Sequence, residues 1–465
     1  MTKIISSTED FTDFLSNYQS SNVVLIPILA DENLHPQNNK LISLYIYLIN
    51  HDESYLLCFD HDEGNNLNIQ ILDRLDNDKI KYVYNKKLFL HIHKFTGLVD
   101  VNLANHYLTG KPLSIPDVTT TAHNFYNIKF ENHKNKNKIV PLVKHIESCE
   151  HMKNELMEII KKYDWELTFG DDSFWFLNNI AIENLQKLES SGLHVDKKVF
   201  DKEYDKTKYK HVSPDNLIYT EYNIYTTTGR PSNRFGGINF AALDKNGARK
   251  PYVSRFGAKG MLVEFDYDAF HLHLISKLVG EKIPRMNAHT HFGKQYFKKK
   301  TLSTEEYEKS KEISFGMLYG GVRKEYEDVP YFAKVKISIK ELWKQYKKDG
   351  YITSMISGKR LSYQASTDLN PQKLFNYIIQ TTEMEYSMIV LDNINKYLAD
   401  KKTKLILYTY DSFLFDFHID DGKELLEEIE SIMEFKKQFA VKVKRGTNYS
   451  EMNLVSKKEK KDLEV

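Results

Sequence analysis

The chain has 465 residues, 41% hydrophobic and 28% charged, with a formal net charge of +1. That length allows roughly two to four domains around a large core, and the near-zero charge excludes a strongly basic nucleic-acid binder. Cys58 and Cys149 stand far apart, which excludes a thiolate metal motif and fits a reducing, intracellular setting.

In chain order, the start "MTKIISSTEDF" has no apolar signal-peptide core, and Val23–Ala30 and Leu41–Ile49 are too short to span a bilayer. A cytoplasmic protein with no membrane partner is expected. Residues 20–110 read as strands, with "VVLIPILA", "LISLYIYLI" and "SYLLCFD" separated by polar turns. "FENHKNKNK" near Phe130–Lys138 reads as a linker. Helical periodicity then takes over at Phe174–Ser191, Ala269–Val279, His289–Lys298, Thr304–Leu318, Ile339–Lys348, Pro371–Tyr397 and Lys423–Phe435. The first third is slightly acidic and the remainder basic, with lysine clusters at Lys298–Lys300, Lys401–Lys404 and Lys436–Lys437. Such runs are solvated faces or a phosphate-facing groove.

"LILYTYDSFLFDF", Leu405–Phe417, alternates around an Asp-Ser step and predicts a hairpin. Asp411 is then a turn residue or something more. In "GMLVEFDYDAFHLHLISKLVG", Gly260–Gly280, a strand delivers Asp266 to the start of a helix, where it is either an N-cap or a cation ligand. Two strand-borne aspartates on one sheet would suit Mg²⁺, which takes carboxylates together with substrate phosphates. Between them, Lys311, Phe315, Leu318 and Tyr319 share one helical face, either core-facing or offering a cation and rings to a nucleotide. Arg230 sits in the Thr/Gly/Asn-rich loop "YTTTGRPSNRFGGINFAAL", which reads as a turn or as a backbone contact to nucleic acid.

The ordered set resembles the family A DNA polymerases, the bacterial DNA polymerase I type, over roughly Phe174–Phe417. "TTTGRPS…INF" resembles the T-G-R-x-S…N-L loop, "FDYDAFHLHLIS" motif A and "NAHTHFGKQYF" the D-x-H-x-x-T segment. "KEISFGMLYG" resembles motif B and "YITSMISGKRL" the G-Y-V-x-T-x-x-G-R-R segment. "FNYIIQTTEMEY" keeps the N-x-x-x-Q spacing, "TYDSF" stands at motif C, and "LQKLESSGLHVDKKVF" resembles the opening of the polymerase domain.

The resemblance implies an α+β fold: a right-hand palm and fingers behind an N-terminal RNase H-like exonuclease-type domain. The expected layout is an exonuclease-like domain at 1–135, a linker helix at 136–170 and a polymerase domain at 171–465. Within the last, the palm takes 171–280 and 350–465 and the fingers 281–349. It implies DNA synthesis on a primer-template from dNTPs, with two Mg²⁺ ions, or Mn²⁺, held by Asp266, Asp411 and the Tyr267 carbonyl. By the same resemblance Lys311 contacts the triphosphate and protonates the leaving group, and His289 reaches the β-phosphate. Phe315 packs the deoxyribose and Tyr319 borders the new base pair. Arg230, Asn239, Asn376 and Gln380 contact the primer-template.

The chain also departs from the family. His271 replaces the motif A glutamate that helps exclude a 2′-hydroxyl, so looser sugar selection is expected. Tyr307 replaces the motif B arginine, so triphosphate binding weakens unless Lys309 or another cation substitutes. Tyr410-Asp411-Ser412 replaces H-D-E, a D-S-F ending shared with the single-subunit phage RNA polymerases. RNA or primer synthesis is therefore the alternative activity, and a non-catalytic polymerase-like nucleic-acid-binding subunit is another. At the exonuclease acid positions stand Ile28, Ala30 and a residue near Phe89, with Asp31 and Glu32 adjacent at the strand end, so a degenerate domain is expected. Residues 201–216 are too few for a thumb, whose near absence implies a replication partner such as a clamp or helicase-primase. Composition and resemblance together suggest a viral, phage-like protein in the host cell cytoplasm.

Overall fold

The computed structural model describes residues 2–113, 136–163, 165, 169–362 and 368–455. The predicted linker lies outside these as far as residue 135. Contacts divide the chain into two compact units, Met1–Gln186 and Lys187–Val465. Among the described residues no helix is long and apolar enough to cross a membrane.

The first unit is built on a mixed six-stranded sheet. Its strands are β1 (Lys3–Ile5), β2 (Val23–Leu29), β3 (Leu41–Leu48), β4 (Glu53–Cys58), β5 (Lys81–Val83) and β6 (Leu98–Asp100), in the order β1-β4-β3-β2-β5-β6. β2, β3 and β4 form the antiparallel meander that the apolar runs predict. The remaining strands join in parallel. Helix α1 (Thr8–Tyr18) buries Phe11, Phe14 and Tyr18 against the sheet. The expected linker helix is α4 (Leu142–Lys162), following α2 (Lys86–Ile92) and α3 (Val101–Thr109). It does not stand free: its Cys149, Met152 and Leu156 stripe is buried within this unit, so the unit runs past residue 135 to Gln186. Ile28, Ala30 and Phe89 are each 2% exposed or less. Asp31 is spent on an Asx turn to Asn33, and Glu32 pairs with Lys136.

The second unit centres on an antiparallel five-stranded sheet. It comprises β7 (Gly260–Tyr267), β8 (Lys404–Thr409), β9 (Ser412–His418), β10 (Val441–Gly446) and β11 (Asn453–Leu454), in the order β8-β9-β7-β10-β11. β9 is buried along its whole length, which explains its near-continuous apolar text. Its one acid, Asp416, is fully buried and held by Arg255 Nε at 2.8 Å and Ser254 Oγ at 2.5 Å. The β8–β9 hairpin turns at Tyr410-Asp411, one residue earlier than the Asp-Ser step, because Thr409 pairs with Ser412. Tyr410 takes φ +63°, a conformation that side-chain preferences would not assign to tyrosine. At the sheet's edge, the Tyr222 hydroxyl donates to the Tyr408 carbonyl and accepts from the Tyr408 N–H, at 2.9 and 2.8 Å.

Helices follow the strands. α5 (Phe270–Val279) leaves β7 through Asp268 and Ala269, the latter at φ +57°. α6 (Ala288–Phe297) and α7 (Thr304–Gly320) come next, and α7 starts at a capping box between Ser303 and Glu306. α8 (Pro330–Asp349) starts nine residues before the predicted Ile339, since Pro330 occupies the first turn. α9 (Pro371–Tyr397) has the predicted bounds, with Asn370 as its N-cap, and α10 (Gly422–Glu434) covers the last predicted helix. Across 201–216 the described residues hold the end of helix Lys197–Glu203 and a 3₁₀ turn at Lys206–His211. No antiparallel helix pair lies there.

Candidate active site

β7 and β9 lie side by side, and Asp266 is the cross-strand partner of Ser412. That register sets Asp266 beside Asp411 in the hairpin turn, and the Tyr267 N–H donates to the Asp411 carbonyl at 3.0 Å. Both aspartates line two clefts at once. The first, about 250 Å³, is walled by β7, α5, α6, α7 and α9; the second, about 430 Å³, lies on the other side of the pair.

The first cleft gathers Asp266, Tyr267, His271, His289, Lys311, Phe315, Tyr319, Arg230 and Asp411. Phe315 and Tyr319 are over 40% exposed, their rings stacked at 12°. Two large apolar faces left open at a cleft wall are what a flat or sugar-bearing ligand would cover. Lys311 lies near them, paired with Glu308 at 3.0 Å. Burial pulls its ammonium down, but Glu308 and Tyr307 hold it above the ordinary lysine value, so it is a cation at neutral pH. His289 is buried, and burial drives its pKa down to about 4, so it presents a neutral ring whose Nδ1 has no partner among the described residues.

Asn239, Asn376 and Gln380 do not line either cleft. Asn239 is exposed ahead of a 3₁₀ turn. Asn376 donates to the Tyr319 carbonyl at 3.5 Å, and Gln380 accepts from Thr228 at 3.4 Å. Arg230 reaches the first cleft, but its guanidinium lies 3.7 Å from the Tyr410 ring centroid and pairs with Glu383 at 2.9 Å.

Several residues of the site escaped the sequence. Glu383 on α9 is fully buried, accepting from Arg230 and from His271 Nε2 at 2.8 Å. β10 brings Lys442 and Lys444 opposite Asp266 and Glu264 in register. Lys442 enters the first cleft and bonds Asp268 at 2.5 Å. Lys444 enters the second and bridges Glu264 at 2.9 Å and Asp266 at 3.1 Å. Lys245 and Arg249 add further positive charge there. The signal was the alternating "VKVK", which places both lysines on one strand face; Glu383 sat unread inside an apolar helix.

Burial raises the Asp266 carboxyl; Lys444 pulls it back and Glu264 pushes it up. Asp411 is pushed up to about 7 by burial, then by Asp266 and Glu383. Asp266 raises Asp411, and among the described residues Asp411 has no cation of its own to offset this beyond a weak pull from His271, a condition that a divalent cation relieves. The ligands the pair itself offers are carboxylate oxygens, which suits a hard cation such as Mg²⁺ or Mn²⁺.

Sheet, helices and clefts together make the α+β fold of a DNA polymerase's polymerase domain. The chain resembles the solved POL domain of Pol1 from M. smegmatis, in complex with DNA primer-template and dNTP, with a TM-score of 0.69 at 14% identity. The match covers 97% of this chain and 99% of that one. No protein-family model matches the sequence.

Proposed function

We propose that the chain is a template-directed DNA polymerase of the family A type that adds nucleotides to a primer 3′-hydroxyl. The observation that carries this reading is the placement of Asp266 and Asp411 between two clefts. One is fitted to a nucleotide by Lys311, His289, Phe315 and Tyr319, the other walled by Lys245, Arg249 and Lys444. The second receives the primer end, and the two carboxylates face the junction where the bond forms.

Asp266 and Asp411, with the Tyr267 carbonyl, would hold two Mg²⁺ ions, whose chemistry is to acidify the 3′-hydroxyl and neutralise charge on the phosphates. The residues do the rest. Lys311 binds the triphosphate and gives its proton to the departing pyrophosphate, and neutral His289 donates an N–H to a phosphate oxygen. Lys442 supplies the second cation that Tyr307 does not. Phe315 packs the sugar and Tyr319 the base. Asn239, Asn376, Gln380 and the loop around Arg230 follow the duplex, a role that Arg230 serves while anchored by Glu383.

In this reading the palm is 171–280 and 350–465 and the fingers 281–349. Residues 1–135, with α4 packed onto them inside the first unit, form an exonuclease-like domain in which Ile28, Ala30 and Phe89 stand where a metal cage would be. A viral, phage-like replication role with an accessory protein fits the short 201–216 segment. The test is primer extension with Mg²⁺, with dNTPs and rNTPs in parallel. Extension by dNTPs supports the reading. Extension by rNTPs alone replaces it with RNA synthesis, and DNA binding without extension by either makes the chain a scaffold.

A further inference from the structure

His271, Glu383, Arg230 and Tyr319 come from four separate places in the chain and meet at the wall of the first cleft. Glu383 Oε1 accepts from Arg230 Nη2 at 2.9 Å, and Oε2 from His271 Nε2 at 2.8 Å. His271 Nδ1 lies 2.7 Å from the Tyr319 hydroxyl. The carboxylate can only accept, so Nε2 carries a proton, and Nδ1 is held in a hydrogen bond with the Tyr319 hydroxyl. Both ring nitrogens are therefore engaged. The His271 side chain is 10% exposed and that of Glu383 is 0% exposed. A buried carboxylate is tolerated only where it is paired, so Glu383 fixes Arg230 and His271 as firmly as they stabilise it.

The position of this network along the cleft matters. The phosphate-binding groups, Lys311 and His289, and the two aspartates mark one part of the site, and the exposed rings of Phe315 and Tyr319 mark the part that takes sugar and base. His271 bonds Tyr319 at the base end and stands on the helix that directly follows Asp266, so it lies between the base and the two aspartates, which sets it at the sugar. From this geometry, and resting on the polymerase reading above, we propose that Glu383 is a positioning residue that locks His271 as the wall excluding a 2′-hydroxyl. The carboxylate used in sugar selection comes here from α9 rather than from the helix after β7.

The physical basis is the saturation of the ring. A 2′-hydroxyl set against His271 meets a nitrogen on neither edge that is free to bond it. It must break a bond of the network or remain unpaired in a buried place, and either outcome is unfavourable. A loose histidine would turn a nitrogen toward the hydroxyl and accept the ribonucleotide. The replacement of glutamate by His271 thus does not loosen sugar selection, because the lost anion is supplied from α9.

The experiment measures kcat/KM for dCTP and rCTP in single-nucleotide extension. It compares the natural chain with Glu383→Gln, Glu383→Ala, His271→Ala and the double variant Glu383→Ala/His271→Ala. The ratio is taken within each variant, so a general loss of rate cancels. Glu383→Ala and His271→Ala should each lower the dCTP preference at least tenfold, Glu383→Gln by less, and the double variant no further than either single one. A merely structural role for Glu383 would depress both substrates equally and leave the ratio unchanged. A ratio within twofold of the natural chain in Glu383→Ala overturns the proposal; if that variant does not fold, the same result in Glu383→Gln does. Single effects that multiply in the double variant overturn it too. An inactive natural chain overturns the polymerase reading and this inference with it, whereas an active chain with unchanged ratios overturns this inference alone.

Discussion

Asp411 is costly to the fold that carries it. Its carboxyl is pushed up to about 7, first by burial and then by Asp266 and Glu383, against a usual 3.8. The folded chain therefore binds this proton more tightly than the unfolded chain does. The stability tied to it is complete below the unfolded value and is lost as pH rises through about 7. In EDTA, Asp411→Asn should be modestly more stable than the natural protein at pH 8, since Asp411 stands exposed at the cleft and solvent screens part of the repulsion. The gap should shrink at pH 5, vanish below about pH 4, and narrow at pH 8 on adding Mg²⁺. Urea denaturation at the two pH values measures it, and a gap independent of pH would remove the charge from the account. For activity, Asp266→Ala and Asp411→Ala should each reduce incorporation by a thousandfold or more, on the order of 4 kcal/mol in the transition state, with circular dichroism unchanged. Near-native extension by either variant would displace the assigned site. At this scale the meeting of Asp266, Asp411 and Lys311 at one cleft could be anticipated because each stands in a local pattern of its own. That of Glu383 could not, because its meaning lies in Arg230 and His271, each more than 100 positions away.

Among the elements, the β8–β9 hairpin was legible from alternation, and α9 from Pro371 behind an Asn cap. The turn of that hairpin was misplaced by one residue, since the tertiary setting, with Arg230 over the Tyr410 ring, outweighs local turn preference. α8 was read too short, because its first turns "PYFAKV" carry core residues on several sides and hide the helical period. β10 went unread as a strand because half of its residues are basic. Its period of two gives one lysine to each cleft, and this divides their effects. Lys442→Ala should raise the KM for dNTPs roughly tenfold, the loss of one charge-assisted phosphate contact. Lys444→Ala should raise the KM for primer-template instead. Steady-state extension with each substrate varied in turn separates the two, and identical effects on both substrates would end this division. In the strand that supports the site, Phe413→Ala should cost about 3–5 kcal/mol by leaving a cavity in a fully buried position, read as a lowered denaturation midpoint.

For the whole molecule, a net charge of +1 and a short 201–216 segment leave little to hold a duplex between additions. Extension by the isolated chain against a DNA trap should stop after a few nucleotides and fall steeply with salt. Long products under the trap would contradict the expected dependence on an accessory protein. The fold class was legible because helical and strand periods are segregated along the chain; the division at Gln186 was not, because α4 reads as a linker until its buried stripe is seen. The tyrosine hydroxyl at the sheet margin has a further consequence. β8 is an edge strand, and its outward backbone groups at Tyr408 are those that another chain would bind. The Tyr222 hydroxyl fills both, and Asn233 Nδ2 adds a bond to the same carbonyl at 3.0 Å. The pair acts as a stopper against strand-by-strand self-association. Tyr222→Phe removes a single oxygen, yet it should turn a clean thermal melt into one that ends in β-rich aggregates, visible by light scattering and thioflavin fluorescence.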